Sequence, residues 1–343
     1  MVFRKSLKTI IAITVSTAAF TGLAGCGNGV IFSQSDKEPV TVNDFKLDTY
    51  VSITGYDNAD EAVLKEALSL CDKYEDIFSM YKEGSELWMI NENKTTDVSP
   101  ELGTVIEKAL SFSSRSEGNF QISLGRVSEL WDFNSEKHTI PDENVIQSAL
   151  ATVDDSLIVI KPKENPSDGW LISKPEDTKI DLGAVSKGYV ADKIKEFLIE
   201  HGVRQAVINL GGNVLCVGNK NGSGFNIGIR KPFSDATDTA TVLSLSDKAV
   251  ISSGVSERYF EDEDGRIYHH ILNPKTGYPY DNGLWQTSVI TDDSLTGDCL
   301  STLCFTLGLE KGLELASREG FGAVFITDDG QLHYTPDAED LVL

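Results

Sequence analysis

Apolar residues recur along this chain at two spacings, and the changes from one to the other lay out its elements. Phe45 to Thr54 alternates apolar and polar positions, the period of a half-buried strand. From Ala59 to Phe78, Val63, Leu64, Ala67, Leu68, Leu70, Cys71 and Tyr74 fall on the stripe of an amphipathic helix. Ser99 before Pro100 is an N-cap with proline in the first turn, which predicts a second helix over Pro100–Glu117, stopped at Gly118. Pro141–Ala151 reads as a short helix, and Leu157–Pro162 with Trp170–Lys174 as a strand pair. A glycine-containing turn at Asp181 leads into a helix closed by Gly202, and Val203–Val217 reads as two strands around a glycine turn. Further strands are predicted at Phe225–Arg230, Ala249–Ser253, Tyr268–Leu272, Trp285–Thr291 and Gly322–Thr327, with helices at Leu295–Leu307 and Glu310–Arg318. Strands and helices alternate irregularly, so an α+β fold is expected rather than a doubly wound parallel sheet.

The first residues follow neither period. Arg4, Lys5 and Lys8 precede an apolar run from Ile10 to Phe20. That run falls short of the ~20 residues that span a bilayer and has the length of a signal-peptide core. Leu23-Ala24-Gly25-Cys26 then resembles a bacterial lipobox. The expected organisation is a lipoprotein signal peptide over residues 1–25, a tether over 26–42 lipidated at Cys26, and one domain over 43–343. The expected place is the extracytoplasmic face of a membrane, most simply a Gram-positive cell surface. A formal charge of −23 excludes a nucleic-acid partner, whose phosphates demand Lys and Arg. It also opposes adhesion to anionic lipid, which leaves the lipid on Cys26 as the anchor. Cys71, Cys216, Cys299 and Cys304 form no CxxC pair and sit in apolar patterns, so they are expected free and buried.

Three segments carry chemistry. Asp181-Leu182-Gly183-Ala184-Val185-Ser186-Lys187-Gly188-Tyr189 opens a helix, where free N–H groups, the helix dipole and Lys187 suit an anion. In Tyr268-His269-His270-Ile271-Leu272-Asn273-Pro274-Lys275-Thr276-Gly277, a strand presents His270 and runs into a turn; a histidine there can act as general base. In Thr296-Gly297-Asp298-Cys299-Leu300-Ser301-Thr302, Asp298 and Thr302 lie four apart on one helical face. A carboxylate and a hydroxyl are hard oxygen ligands suited to Mg²⁺, though too few to enclose it. Each segment also has a purely structural reading: a capping aspartate, a strand-end histidine, a buried threonine.

In order along the chain, these segments join others: Leu47-Asp48-Thr49, Phe78-Ser79-Met80-Tyr81, Gly118-Asn119-Phe120-Gln121-Ile122-Ser123, Leu130-Trp131-Asp132-Phe133, Asn209-Leu210-Gly211-Gly212-Asn213, Asn226-Ile227-Gly228-Ile229-Arg230 and Ser252-Ser253-Gly254 with Glu257-Arg258-Tyr259. Together they resemble the FAD:protein FMN transferases of the ApbE type over almost the whole length beyond the tether. The resemblance implies a T-fold-like α+β enzyme of two interleaved lobes with FAD, its substrate, in a cleft between them. It places Leu47, Tyr81, Asn119, Phe120, Gln121, Asp181, Lys187 and Leu272 at the FAD, and Ala184, Asp298, Ser301 and Thr302 around Mg²⁺. It implies FMN transfer, with AMP released, to a Ser or Thr of an exported or membrane-bound redox protein, with His270 as base. An FAD pyrophosphatase and a non-catalytic flavin-binding lipoprotein are the rival expectations. The chain departs from the family pattern at Gln121 and Asn273, where aspartate is usual, at Ser123 for threonine, at Ser186 for alanine, and at Leu47-Asp48 for Met-Gly. Gln121 can hydrogen-bond but adds no charge.

Overall fold

The computed structural model describes residues 38–56, 59–133, 138–235 and 237–343. The predicted signal segment, Cys26 and the tether as far as residue 37 lie outside the described residues. An antiparallel sheet of eight strands organises the rest: β1 (Val40–Lys46), β2 (Thr49–Gly55), β3 (Ala206–Leu210), β4 (Asn213–Val217), β5 (Ala249–Gly254), β6 (Leu284–Thr291), β7 (Gly322–Thr327) and β8 (Leu332–Tyr334). They lie side by side in chain order, and every other element except a last short helix, Pro336–Glu339, is an insertion between two of them. β1 begins at Val40, inside the stretch read as tether.

On one face pack helices α1 (Glu61–Phe78), α2 (Ser186–Glu200) and α3 (Ser294–Leu307). Leu64 and Cys71 of α1, Ile194 and Leu198 of α2, and Leu303 and Phe305 of α3 share a core with Ile208 and Leu215 of the sheet. Asp60 caps α1 by accepting from Ala62 N at 2.8 Å. α3 is buried on nearly all sides, which its almost uninterrupted apolar sequence permits. The other face is covered by a hairpin of Phe225–Arg230 and Thr239–Leu245, whose Phe225, Ile227, Ile229 and Leu243 pack on Val214, Val250 and Val324. A third cluster joins Trp131 to Phe260 and Tyr268, and Trp131 Nε1 donates to Gly277 O at 2.7 Å. That cluster fixes the loop on either side of His270.

The α+β expectation holds, with corrections in detail. Phe45–Thr54 is a hairpin rather than one strand: Leu47 and Asp48 turn it with φ of 52° and 57°. Both residues of such a turn need positive φ, and Leu-Asp lacks the glycine that would advertise it. The helix at Pro100 ends at Ser113, earlier than expected, and turns follow in which Glu117 and Gly118 take positive φ. The strand at Tyr268 ends at His269, where its pairing with Tyr259–Glu261 stops, so His270 stands just beyond it. The helix after Asp181 starts only at Ser186, and Asp181 does not cap it. The four cysteines are free and buried as expected, and burial pushes the thiols of Cys71 and Cys216 up to about 12.

Candidate active site

A cleft of about 1160 Å³ opens along the sheet and is lined by residues from each chemistry-bearing segment. Its floor is set where α2 meets α3. Gly188 N donates to Asp298 Oδ2 at 2.8 Å, while Asp192 of α2 accepts from Ser294 N at 2.8 Å and Leu295 N at 2.9 Å. Each helix therefore supplies a carboxylate to the first turns of the other, satisfying N–H groups that helices leave open. The approach is so close that only glycine fits at 188: a Cβ there would lie 2.4 Å from Ser294 O.

Asp298 is buried, and burial raises its pKa against the lowering effects of Lys187, the Gly188 amide and Asn213. The amide of Asn213, buried close by, has neither Nδ2 nor Oδ1 in hydrogen-bond geometry with any partner. Thr302 lines the cleft beside Asp298. Ser301 is fully buried behind the lining and reaches it through Ser253, whose Oγ lies 2.8 Å from Ser301 Oγ and 3.2 Å from Thr302 Oγ1. Ala184 and Lys187 line the cleft at the start of α2, and Lys187 Nζ donates to Gly183 O at 3.3 Å.

The opposite wall comes from the Asn119–Ser123 segment. Buried Asp155 pins it by accepting from Ile122 N at 2.9 Å and Ser123 N at 2.8 Å. Asn119 accepts from Lys275 Nζ at 3.0 Å, and its carbonyl from Tyr280 Oη at 2.9 Å. Gln121 Oε1 accepts from Asp155 N at 3.0 Å, a bond any side-chain oxygen could accept there. Asn273 likewise accepts from Lys275 N at 2.9 Å, so this departure preserves the turn. Phe120 and Leu272 line the same wall and are largely buried, whereas Tyr81 stands half exposed at the rim and Leu47 at the tip of the first hairpin. Asp181 accepts from Gly183 N at 2.8 Å and from Ser128 Oγ at 2.7 Å.

His270 faces the cleft with Nδ1 3.3 Å from Arg258 O. A carbonyl can only accept, so Nδ1 carries the proton and Nε2 is left as the acceptor. Burial first, then Arg258, His269 and Lys187, push its pKa down to about 3, so the ring is neutral at pH 7. The sequence reading did not single out Glu257. It lines the cleft, and although the residue is exposed, desolvation by the surrounding protein pushes its pKa up to about 7. Asn213, Ser253 and Asp192 were also passed over. Glu257, Asn213 and Ser253 stand in segments named above and Asp192 in the predicted helix after Asp181, but nothing in their spacing says that folding brings them to Asp298 and Lys187.

Among the described residues no three His, Cys, Asp or Glu side chains gather in a metal cage. What the cleft offers is one buried carboxylate with hydroxyls beside it.

The ApbE family model matches residues 47–325. The chain is similar to the FAD:protein FMN transferase of Klebsiella pneumoniae (strain 342), 35% identical over 78% of this chain and 83% of the relative. It is also similar to that of Treponema pallidum (strain Nichols), 31% identical over 82% and 81% of the two chains. Among solved structures, the ApbE protein of Thermotoga maritima superposes with a TM-score of 0.80 at 28% identity, covering 89% of this chain and 99% of the other. The flavin transferase ApbE of Vibrio cholerae shares the fold with a TM-score of 0.77 at 24% identity, covering 89% and 99%.

Proposed function

The chain belongs to the ApbE family, and from that premise we propose that it transfers FMN from FAD to a Ser or Thr of a protein acceptor, releasing AMP. The observation that carries this reading is the convergence, in one cleft, of a neutral His270 with a helix start bearing Lys187 and with buried Asp298. Asp298 and Leu182 O already take the Gly188 and Ser186 N–H groups, so it is Lys187, with the positive end of the α2 dipole, that binds pyrophosphate oxygens. The Asn119–Gln121 wall, Leu47, Leu272, Asp181 and the rim ring of Tyr81 hold the rest of FAD. His270 Nε2 accepts the proton of the acceptor hydroxyl, whose oxygen bonds to the flavin-side phosphorus as the bond from that phosphorus to the AMP oxygen breaks. A pKa near 3 makes His270 a weak base by itself; the negative charge of a pyrophosphate beside it would raise it toward working pH.

Mg²⁺ fits this donor set: the buried Asp298 carboxylate, the buried Asn213 amide oxygen, which no N–H or O–H satisfies, and hydroxyls are hard oxygen groups around an open side. Asp298, Thr302 and the Ala184 carbonyl would hold it, with Ser301 behind, and it would neutralise charge growing on the pyrophosphate oxygens. Cys26 would carry the lipid that keeps the enzyme on the extracytoplasmic membrane face, near exported redox acceptors.

The test uses the soluble form starting after Cys26, with FAD, Mg²⁺ and a purified exported flavin-binding domain bearing Ser or Thr at its flavin site. Intact mass of that domain and AMP are measured together. One added FMN with AMP release, both abolished by EDTA, supports the proposal. AMP with free FMN alone indicates a pyrophosphatase, and bound FAD without AMP overturns catalysis.

A further inference from the structure

The hairpin of Phe225–Arg230 and Thr239–Leu245 has two outer edges, and the chain covers one of them. On the Thr239–Leu245 side, Ser244 N donates to Leu341 O at 2.8 Å and Leu343 N donates to Val242 O at 3.0 Å. Ser244 and Val242 thus point their backbone groups outward. In an antiparallel pair, residues opposite one another point their N–H and C=O either both inward or both outward. Ser244 stands opposite Asn226 and Val242 opposite Gly228, so Asn226 and Gly228 direct theirs to the far edge. Among the described residues no strand pairs with that edge, and no backbone group elsewhere bonds to either residue.

This open edge borders the reaction cleft. Asn226, Gly228 and Arg230 line the same cavity as His270 and Asp298. Phe225, Ile227 and Ile229 anchor the strand on the sheet, while Asn226 and Gly228 are exposed. At the strand's end, Arg230 donates through Nη2 to Ser234 O at 2.9 Å, yet its buried Nε has no partner. The charge of Arg230 acts on Glu257, the neighbour of the Arg258 whose carbonyl holds His270. The edge therefore leads toward the reacting groups.

We propose that the Phe225–Arg230 edge docks the protein acceptor, whose segment bearing the modified hydroxyl adds as an extended strand against Asn226 and Gly228. This rests on the transferase reading above. Only a polypeptide acceptor must enter this cleft as a chain, and an edge continuous with the cleft offers it backbone hydrogen bonds whatever its side chains. An unpaired edge is otherwise a site for unwanted pairing, which chains usually cover, as this one covers its other side.

Proline is tolerated on edge strands, and the Asn226 N–H serves no bond inside the hairpin. Asn226→Pro should therefore fold, bind FAD as the parent does, and raise KM for the flavin-binding acceptor domain roughly tenfold, the worth of about one hydrogen bond. Asn226→Ala keeps the N–H and should raise that KM far less than Asn226→Pro. As an independent measure on the unmutated protein, saturating acceptor should slow hydrogen exchange at the Asn226 and Gly228 amides. Equal loss in both variants, an unchanged KM in a folded Asn226→Pro, or no added protection would each overturn strand addition. Protection that grows with enzyme concentration alone would assign the edge to a second copy and overturn it too. Failure of the parent to transfer FMN would instead overturn the functional reading.

Discussion

Gly188→Ala is the sharpest test of how the cleft is built. In an ordinary helix this change stabilises by about 1 kcal/mol, because alanine surrenders less backbone entropy. Here the sign should reverse. The new Cβ would lie 2.4 Å from Ser294 O and 2.7 Å from Leu295 Cα, both on the backbone of α3, so no side chain can step aside. Separating α2 from α3 by enough to admit a methyl group costs roughly 1–3 kcal/mol as overpacking. It also stretches the 2.8 Å bond from Gly188 N to Asp298, a charged bond worth about 1.5–3 kcal/mol. The combined loss should be roughly 2–4 kcal/mol after the helix-propensity gain. Urea unfolding followed by circular dichroism reads this as a lower midpoint with an unchanged slope. Because Lys187 and Asp298 move with the two helices, FAD-dependent AMP release should fall as well. A variant as stable as the parent, or more so, would refute the claim that backbone contact between α2 and α3 fixes the site.

His270→Ala should retain FAD binding by fluorescence quenching and lose about 10²–10⁴-fold in transfer rate; transfer at the parental rate would remove His270 as base. Asp298→Ala should abolish the dependence of AMP release on Mg²⁺ concentration, and an unchanged Mg²⁺ titration would place the ion elsewhere. Asp192 gives a pH signature, since burial, only partly offset by the Ser294 and Leu295 amides, raises its pKa from 3.8 to about 6. A carboxyl raised by folding contributes stability that is full below about pH 4 and is lost as pH rises through about 6, at most about 3 kcal/mol for such a shift. The stability advantage of the parent over Asp192→Asn should therefore shrink between pH 4 and pH 7, and a gap that widens would contradict the raised pKa. His270 works in the opposite sense: its lowered pKa costs stability as pH falls from about 6.5 toward about 3, so His270→Ala should be the less acid-sensitive protein.

Much of the element plan was legible because burial repeats along the chain. α1 announced itself by its apolar stripe, and Phe225–Arg230 by strict alternation that became inward Phe225, Ile227 and Ile229. The residues carrying chemistry were legible as types: a histidine before a turn, an aspartate and threonine four apart, a lysine at a helix start. The hairpin at Leu47-Asp48 was hidden, because a two-residue turn at positive φ leaves the polar and apolar alternation almost undisturbed.

Other features belong to folding alone. That Asp192 and Asp298 cap each other's helices depends on α2 and α3 meeting across 110 residues of sequence separation, which no local period encodes. The same holds for Glu257, whose carboxyl is pushed up only because folding sets it in the cleft wall, where protein displaces solvent and Asp298 adds its charge. It holds for His270, which the sequence offers as an ordinary histidine and the structure makes neutral by burial and by Arg258 and Lys187. Sequence determined which groups were available and which local elements would carry them. The tertiary structure decided which groups meet, how much water each keeps, and which backbone edge stays open, because these depend on contacts between segments that no local pattern can specify.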